Sequence, residues 1–258
     1  MTNEKWLFIG TDERIAVCSD IFKQRGYDSA HFRADRYTEP LGDLLLQLEP
    51  DHIVLPVLQM EGPPIPAGRL AKGSRLYTGV ASEQWIQPFK EAGHPVYSYL
   101  KEEQFIWENA RLTAEAFVHE YYSRTKRSVA GKHFYVAGFG RVGKLTAHVL
   151  ASLGAKVTII ARAEAQIGEA AALGYETLAL TDSFLLPEGE LINTIPVQWL
   201  FAVPHSRSHI FDLASAPGCL KNSPAPEYYT VLLGLPGKHY PEDAAMALAG
   251  ALGRIYRK

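Results

Sequence analysis

The stretch Phe134-Tyr135-Val136-Ala137-Gly138-Phe139-Gly140-Arg141-Val142-Gly143 decides the fold of the second half of this 258-residue chain. Its first residues predict a strand, its last six form a G-x-G-x-x-G pattern, and a helix is predicted over residues 142–153. Gly138 would permit a tight turn, Gly140 would let a pyrophosphate approach the backbone, and Gly143 would let the helix pack on the strand. N–H groups at the start of the helix would then donate to phosphate oxygens. We therefore predict that the six residues 138–143 bind a dinucleotide.

A competing interpretation of the same stretch is a mononucleotide P-loop. Residues 138–144 also fit G-x-x-x-x-G-K, but Leu145 follows where a P-loop has Ser or Thr. Without that hydroxyl the magnesium ligand of a P-loop is missing, so ATP or GTP hydrolysis is not favoured.

The residue after the second strand of the predicted domain indicates which dinucleotide binds. An NAD site places Asp or Glu there, on the 2′-hydroxyl of the ribose. Eighteen residues past Gly143 this chain has Ala161, and Arg162 follows. A guanidinium pairs with a 2′-phosphate in a bidentate manner, whereas a carboxylate would repel it. The sequence predicts NADP (NADPH) over NAD; in the alternative, Arg162 is solvated and Glu164 binds the ribose.

Strand-length apolar segments alternate with helix-length amphipathic segments along the whole chain, which is typical of parallel sheets. We predict an α/β protein of two domains, each an open parallel sheet with flanking helices, the second a Rossmann NAD(P)-binding domain. The predicted boundaries are 1–125 for an N-terminal substrate and catalytic domain, 126–237 for the Rossmann domain, and 238–258 for a C-terminal helix that packs back on the first domain. The basic residues 124–127 are interpreted as a solvated helix end rather than a ligand site.

Local sequence patterns predict strands and helices along the whole chain. The strands cover residues 6–9, 53–57, 76–80, 95–99, 132–137, 156–161, 191–194, 210–213 and 230–233, and the helices cover residues 12–25, 101–125, 142–153, 163–173 and 241–257. Asp12 is predicted to cap the first helix.

Composition excludes several classes of protein. A formal net charge of -2, from 26 basic and 28 acidic residues, gives no basic field for nucleic acid. The two cysteines, Cys18 and Cys219, lie far apart and predict neither a disulfide framework nor a zinc site. The apolar runs are too short to span a membrane. We expect a cytoplasmic protein with neither a membrane nor a nucleic acid partner.

Three segments of the second half resemble one known family. These are Asn193-Thr194-Ile195-Pro196, Phe211-Asp212-Leu213-Ala214-Ser215-Ala216-Pro217-Gly218 and Gly234-Leu235-Pro236-Gly237, which are similar to the C-terminal half of the A subunit of dipicolinate synthase. Residues 10–14, 53–57 and 113–115 extend the resemblance into the first half. The chain is shorter than expected for that family, chiefly in the first domain and at the C-terminal tail.

The resemblance implies an activity. A family member would oxidise a dihydro- or hydroxytetrahydro-dipicolinate precursor to dipicolinate during sporulation, with transfer of a hydride to NADP. It would work with the flavoprotein-like B subunit of the synthase, and a homo-oligomer is left open. Hydride transfer to a nicotinamide requires no metal, and the histidines show no metal-ligand spacing.

Candidate site residues follow from a small dicarboxylate substrate and a nicotinamide cofactor. Arg14 follows the first strand and could bind a substrate carboxylate, whereas a surface salt bridge is the alternative. Glu115 is a candidate general base on the long helix, and a solvated carboxylate is the alternative. The further candidates are Lys238 as a catalytic proton donor, Asn193, Thr194, Ile195 and Pro196 for the cofactor, and Thr113, Asp212, Pro236 and Gly237 for the substrate. For Asp212 a loop-capping role is favoured over a substrate contact.

Two other functions are compatible with the sequence. The same architecture serves 2-hydroxyacid and shikimate-type dehydrogenases, although neither an Arg–Glu–His set nor a Lys–Asp pair can be assembled here. The short first domain also suits an NADP-binding regulatory or partner protein without turnover.

Overall fold

The computed structural model describes residues 4–181, 184, 188–201, 208–222 and 224–257. They form two compact units, one of Met1–Asn109 with Pro236–Lys258 and one of Ala110–Leu235. The division falls inside a long helix, whereas the sequence analysis places it after residue 125. The reason is packing: Phe117 and Tyr121, in the second part of that helix, contact aromatic rings of the second sheet.

The elements alternate between strand and helix in both units. In chain order they are β1 (Lys5–Ile9), α1 (Glu13–Gln24), β2 (Asp28–Phe32), α2 (Glu39–Leu48), β3 (His52–Val54), β4 (Arg75–Thr78), α3 (Glu83–Glu91), β5 (Val96–Ser98), α4 (Glu103–Thr125), β6 (His133–Ala137), α5 (Arg141–Ser152), β7 (Lys156–Ala161), α6 (Glu164–Ala172), β8 (Glu176–Ala179), β9 (Glu190–Asn193), β10 (His209–Asp212), β11 (Tyr229–Val231), α7 (Leu235–His239) and α8 (Pro241–Tyr256).

The first unit is built on a parallel sheet with the strand order β2-β1-β3-β4-β5. One face of this sheet packs against α1 and α8 around Trp6 and Phe8. The buried face of α8 consists mainly of alanine, with two leucines, and the small alanine side chains let two helices approach closely. Arg254 of α8 also binds Glu102 through two hydrogen bonds of 2.9 and 2.7 Å. The C-terminal helix is therefore part of the core of the first unit.

The second unit contains a parallel sheet with the strand order β11-β10-β9-β6-β7-β8. The chain starts in the centre at β6, runs outward through β7 and β8, and then returns to the other side of β6 with β9. This is the doubly wound Rossmann order, whose ligand sites lie where the winding reverses, at the carboxyl ends of the strands. The predicted fold class, two parallel sheets with flanking helices, is confirmed.

Five of the elements named above are not predicted from local pattern: β2, β8, α2, α3 and α7. The sequence of β2, Asp-Ser-Ala-His-Phe, lacks an apolar run, and β8 is a largely exposed edge strand. Both strands form because a neighbouring strand offers a row of backbone hydrogen-bond partners, which local sequence does not encode. None of the helices in the described part of the chain has the length and apolarity needed to cross a bilayer.

Candidate functional site

The turn between β6 and α5 has the geometry of a phosphate-binding loop. Gly138 has φ +93°, a backbone conformation that residues other than glycine rarely adopt. Its N–H donates to Ile160 O at 2.8 Å. A Cβ built on Gly138 would lie 2.5 Å from Thr194 Oγ1. This position therefore requires glycine for both backbone and space.

The other two glycines of the motif, Gly143 and Gly140, differ in the space available for a Cβ atom. A Cβ on Gly143 would lie 2.1 Å from Gly138 O, so the first turn of α5 packs directly on the loop. A Cβ on Gly140 would meet no described atom within 4 Å. Gly140 precedes α5 with φ -82°, a conformation open to any residue. The described part of the protein therefore does not require glycine at position 140, and the space over this residue is open to a ligand.

A cavity of about 360 Å³ lies beside this turn. That volume lies within the range of small-molecule and cofactor sites. Its lining comes from four connections at the carboxyl edge of the sheet and is largely apolar. The lining residues are Gly138, Phe139, Gly140, Arg162, Ala163, Gln166, Leu180, Thr194, Ile195, Pro196, Val197 and Trp199. The structure therefore brings most of the predicted cofactor residues to one cavity.

Arg162 lines this cavity directly after β7. It is accompanied by Ala163 and Gln166 at the start of α6, whose first N–H groups have no side-chain cap. A helix start and a guanidinium both favour an anion. Among the described residues, Glu164 is not part of the lining. The placement of Arg162 suits a 2′-phosphate.

Two of the predicted cofactor residues shape the cavity through the backbone. Thr194 donates from Oγ1 to Ala137 O at 2.8 Å and from its N–H to the same oxygen at 2.9 Å. Asn193 is fully buried, and its Oδ1 accepts from Ile195 N–H and from Trp199 Nε1. These bonds hold the loop after β9 against the end of β6. Asn193 supports the cavity rather than lining it.

Asp212 is a buried carboxylate that links the end of β9, the loop after β10 and the start of β11. Its Oδ1 accepts from Asn193 Nδ2 at 2.7 Å and from Ala214 N–H at 3.0 Å. Its Oδ2 accepts from Cys219 N–H at 2.7 Å and from the Tyr229 hydroxyl. Burial, together with this carboxylate, raises the pKa of the Tyr229 hydroxyl and that of the Cys219 thiol. Four protein donors occupy the two oxygens, so we assign Asp212 the loop-ordering role rather than a substrate contact.

Arg14 lies at the carboxyl end of β1 in the first unit. Its side chain is 3% exposed, and it donates from Nε to Asp12 Oδ1 at 3.0 Å and from one terminal nitrogen to Asn109 Oδ1 at 3.1 Å. Asp12 caps α1, as predicted, by accepting the Arg14 N–H. A Cβ on Gly237 would lie 2.3 Å from Asp12 Oδ1. Two of the predicted residues, Arg14 and Gly237, therefore lie against the same Asp12 carboxylate. Pro236 beside them is also buried.

The remaining candidates lie on helices. Glu115 accepts from Arg111 at 2.6 Å, one turn earlier on α4, and its side chain is 43% exposed. This contact matches the alternative of a helical surface carboxylate. Thr113 is buried on the same helix, and Lys238 is exposed on α7.

Sequence reasoning missed Leu180, Gln166 and Trp199 as parts of the cavity wall. Leu180 directly follows the undetected strand β8, and its place in the wall depends on that pairing. Trp199 does carry a signal, because a partly buried tryptophan usually finds a hydrogen-bond partner for its indole N–H, here Asn193 Oδ1.

One curated protein resembles the chain in sequence, whereas no family model matches it. The A subunit of dipicolinate synthase from Bacillus subtilis is 25% identical over 190 residues, which are 70% of this chain and 64% of that protein. The matched segment thus spans less than two thirds of the length of this curated relative.

Solved structures share the fold over the whole chain. Dipicolinate synthase A chain from Bacillus subtilis superposes with a TM-score of 0.77 at 21% identity, covering 100% of this chain and 97% of that one. The same protein from Bacillus halodurans gives 0.79 at 21% identity, covering 100% and 99%. D-lactate dehydrogenase from Escherichia coli gives 0.58 at 14% identity, covering 98% and 96%. The resemblance to the A subunit of dipicolinate synthase is therefore confirmed in sequence and in fold.

Proposed function

We propose that this chain is an NADP-dependent oxidoreductase related to the A subunit of dipicolinate synthase. The observation that carries the proposal is the open space over Gly140, next to a helix start and a cavity of about 360 Å³. Sequence similarity to that protein and a fold shared with dehydrogenases support it.

The residues present fit a nicotinamide dinucleotide. The backbone from Gly138 to Gly143 would hold the diphosphate, Arg162 the 2′-phosphate, and the loop Thr194–Pro196 one side of the cavity. When bound, the nicotinamide ring would accept a hydride from the substrate. The protein itself binds and orients both reactants and excludes water.

The substrate in this proposal is a dihydrodipicolinate-type dicarboxylate, oxidised to dipicolinate in the cytoplasm during sporulation, with the flavoprotein-like B subunit as partner. Arg14 is the best-placed cation in the first unit because Asp12 and Asn109 fix its guanidinium. Glu115 and Lys238 stay proposed proton-transfer residues. Two of the five N–H donors of Arg14 bind protein groups. Its proposed role is to hold a substrate carboxylate with the remaining donors.

A matched pair of valine substitutions tests the cofactor site. Gly140→Val places a side chain in the proposed diphosphate position, and it should weaken NADPH binding at least about tenfold. Gly168→Val adds the same side chain on α6, where a Cβ also meets nothing within 4 Å, and it should leave binding unchanged. Fluorescence titration with NADPH measures both. Equal NADPH affinity in the two variants would contradict the proposed site.

Turnover assays separate the proposed activity from its alternatives. With NADP and a dihydrodipicolinate precursor, in the presence of the B subunit of the synthase, absorbance of NADPH should rise. Turnover of shikimate or a 2-hydroxy acid instead would favour a dehydrogenase of another class. Tight NADPH binding with no turnover of any of these would favour a regulatory protein.

A further inference from the structure

A second cavity, of about 350 Å³, lies in the second unit at the opposite edge of the sheet from the glycine turn. His209 is the first residue of β10, and Thr230 lies in β11, so this cavity is at the amino ends of the strands. Unlike the first cavity, its lining is mostly polar and includes Arg124, Arg127 and His209. The proposed function assigns nothing to it.

The chain reversal at the end of α4 brings two arginines to this cavity. Lys126 adopts φ +55°, which turns the chain out of the helix. Thr125 fixes the reversal, because its Oγ1 donates to Tyr121 O at 2.7 Å and accepts the Arg127 N–H at 3.2 Å. Arg127, two residues beyond the end of α4, therefore lines the same cavity as Arg124.

Buried carboxylates lie beside Arg124 and His209. Arg124 donates to Glu120 Oε2 at 2.6 Å, and its own side chain stays 45% exposed. His209 Nδ1 lies 3.5 Å from Oε2 of Glu190, which is 7% exposed. Within the described residues this Oε2 has no hydrogen-bond partner. Side chains that are already held in place lose less conformational entropy when a ligand binds.

We propose that this cavity binds a small oxyanion, a carboxylate or a phosphate. Guanidinium groups bind both kinds of oxyanion in bidentate fashion, and the hydroxyl group of Thr230 can donate beside them. One lining residue, Glu227, carries the opposite charge and limits the affinity. Arg124 and Arg127 of the basic run then bind a ligand, whereas local sequence indicates a solvated helix end.

Three substitutions test the proposal through the direction in which each changes anion affinity. Arg127→Ala should weaken binding of inorganic phosphate or of malonate at least about tenfold, because a charged donor is lost. Glu227→Gln should tighten the same binding severalfold, because a repulsive charge is removed. Lys126→Ala removes a neighbouring charge outside the lining and should have little effect. Arg127, Glu227 and Lys126 are all exposed, so these variants should fold.

Isothermal titration calorimetry at constant ionic strength, with chloride as the counter-ion, provides the measurement. Phosphate and malonate are titrated separately, and the tighter of the two identifies the source of the oxyanion. NADPH affinity, measured in parallel, should not change in any of the three variants. Wild-type affinity in Arg127→Ala, weaker binding in Glu227→Gln, or no binding of either anion at millimolar concentration would overturn the proposal.

Discussion

Asn193 Nδ2 donates a 2.7 Å hydrogen bond to Asp212 Oδ1, and both side chains are fully buried. These residues end two adjacent strands, β9 and β10, and Asp212 also accepts hydrogen bonds from Ala214 and Cys219 in the loop after β10. The cavity wall at Thr194–Pro196 thus depends on a carboxylate that itself does not line the cavity.

Asp212→Ala should lower the free energy of unfolding by about 3–5 kcal/mol, because it leaves several buried donors without a partner. Urea denaturation in the absence of cofactor measures the loss. Glu164→Ala, an exposed carboxylate in the same unit, should change it by less than about 1 kcal/mol. A small effect for Asp212→Ala would indicate that the carboxylate serves a ligand instead.

Gly143→Ala and Gly140→Ala should differ in stability although both lie in the same motif. The first places a Cβ 2.1 Å from Gly138 O, so the loop or helix must shift, at a cost of about 1–3 kcal/mol. The second adds a Cβ in open space and should weaken only NADPH binding. Thermal unfolding without cofactor, followed by NADPH titration, distinguishes the two. The idea fails if Gly140→Ala is the less stable variant.

Arg162→Ala should weaken NADPH binding at least about tenfold and NADH binding less than about threefold, because only NADPH carries the 2′-phosphate. Paired fluorescence titrations give both dissociation constants. Lys156→Ala, at the other end of β7, removes the same charge away from the cavity and serves as control. Equal losses for both cofactors would refute the proposed role of Arg162.

His52 should make the stability of the first unit depend on pH. It is buried beneath Trp6, with ring centroids 4.0 Å apart. Burial, aided by Arg75 and opposed by Glu4 and Asp51, lowers its pKa below the ordinary value of 6.5. The unfolded chain then binds a proton near pH 6.5 that the folded chain does not bind. Stability is therefore full above pH 6.5 and decreases as pH falls through 6.5 toward the lowered pKa.

Urea denaturation between about pH 7.5 and 5.5 measures this dependence, since the window brackets the ordinary histidine pKa. His52→Gln should flatten the curve below pH 6.5, whereas His148→Gln, an exposed histidine on α5, should leave it unchanged. An unaltered slope in His52→Gln would assign the pH dependence to other groups.

The Rossmann half could be predicted because its signals are local. The strand of residues 133–137, the glycine triplet and the next helix follow one another directly, and each rests on residues a few positions apart. Predicted β7 agrees with the observed strand over its full length. The first half was harder, because β2 lacks an apolar run and the short helices α2 and α3 each contain a proline.

Arg14 illustrates what the sequence left open. Its place after β1 is evident from the sequence, but a buried guanidinium held by Asp12 and Asn109 is not, because Asn109 is 95 positions away. Glu115 presents the reverse case. Its helix was predicted, and only the observed contact with Arg111 indicates a surface ion pair.

The sequence by itself determined the glycine turn after β6, the βα alternation and the resemblance to a family, because backbone freedom at glycine and hydrophobic periodicity act over a few residues. Tertiary structure alone decided that the chain divides within α4, that four donors surround the Asp212 carboxylate, and that Arg127 and His209 line one polar cavity. These relations depend on strand order and burial. They arise only when segments distant in the chain exclude water together.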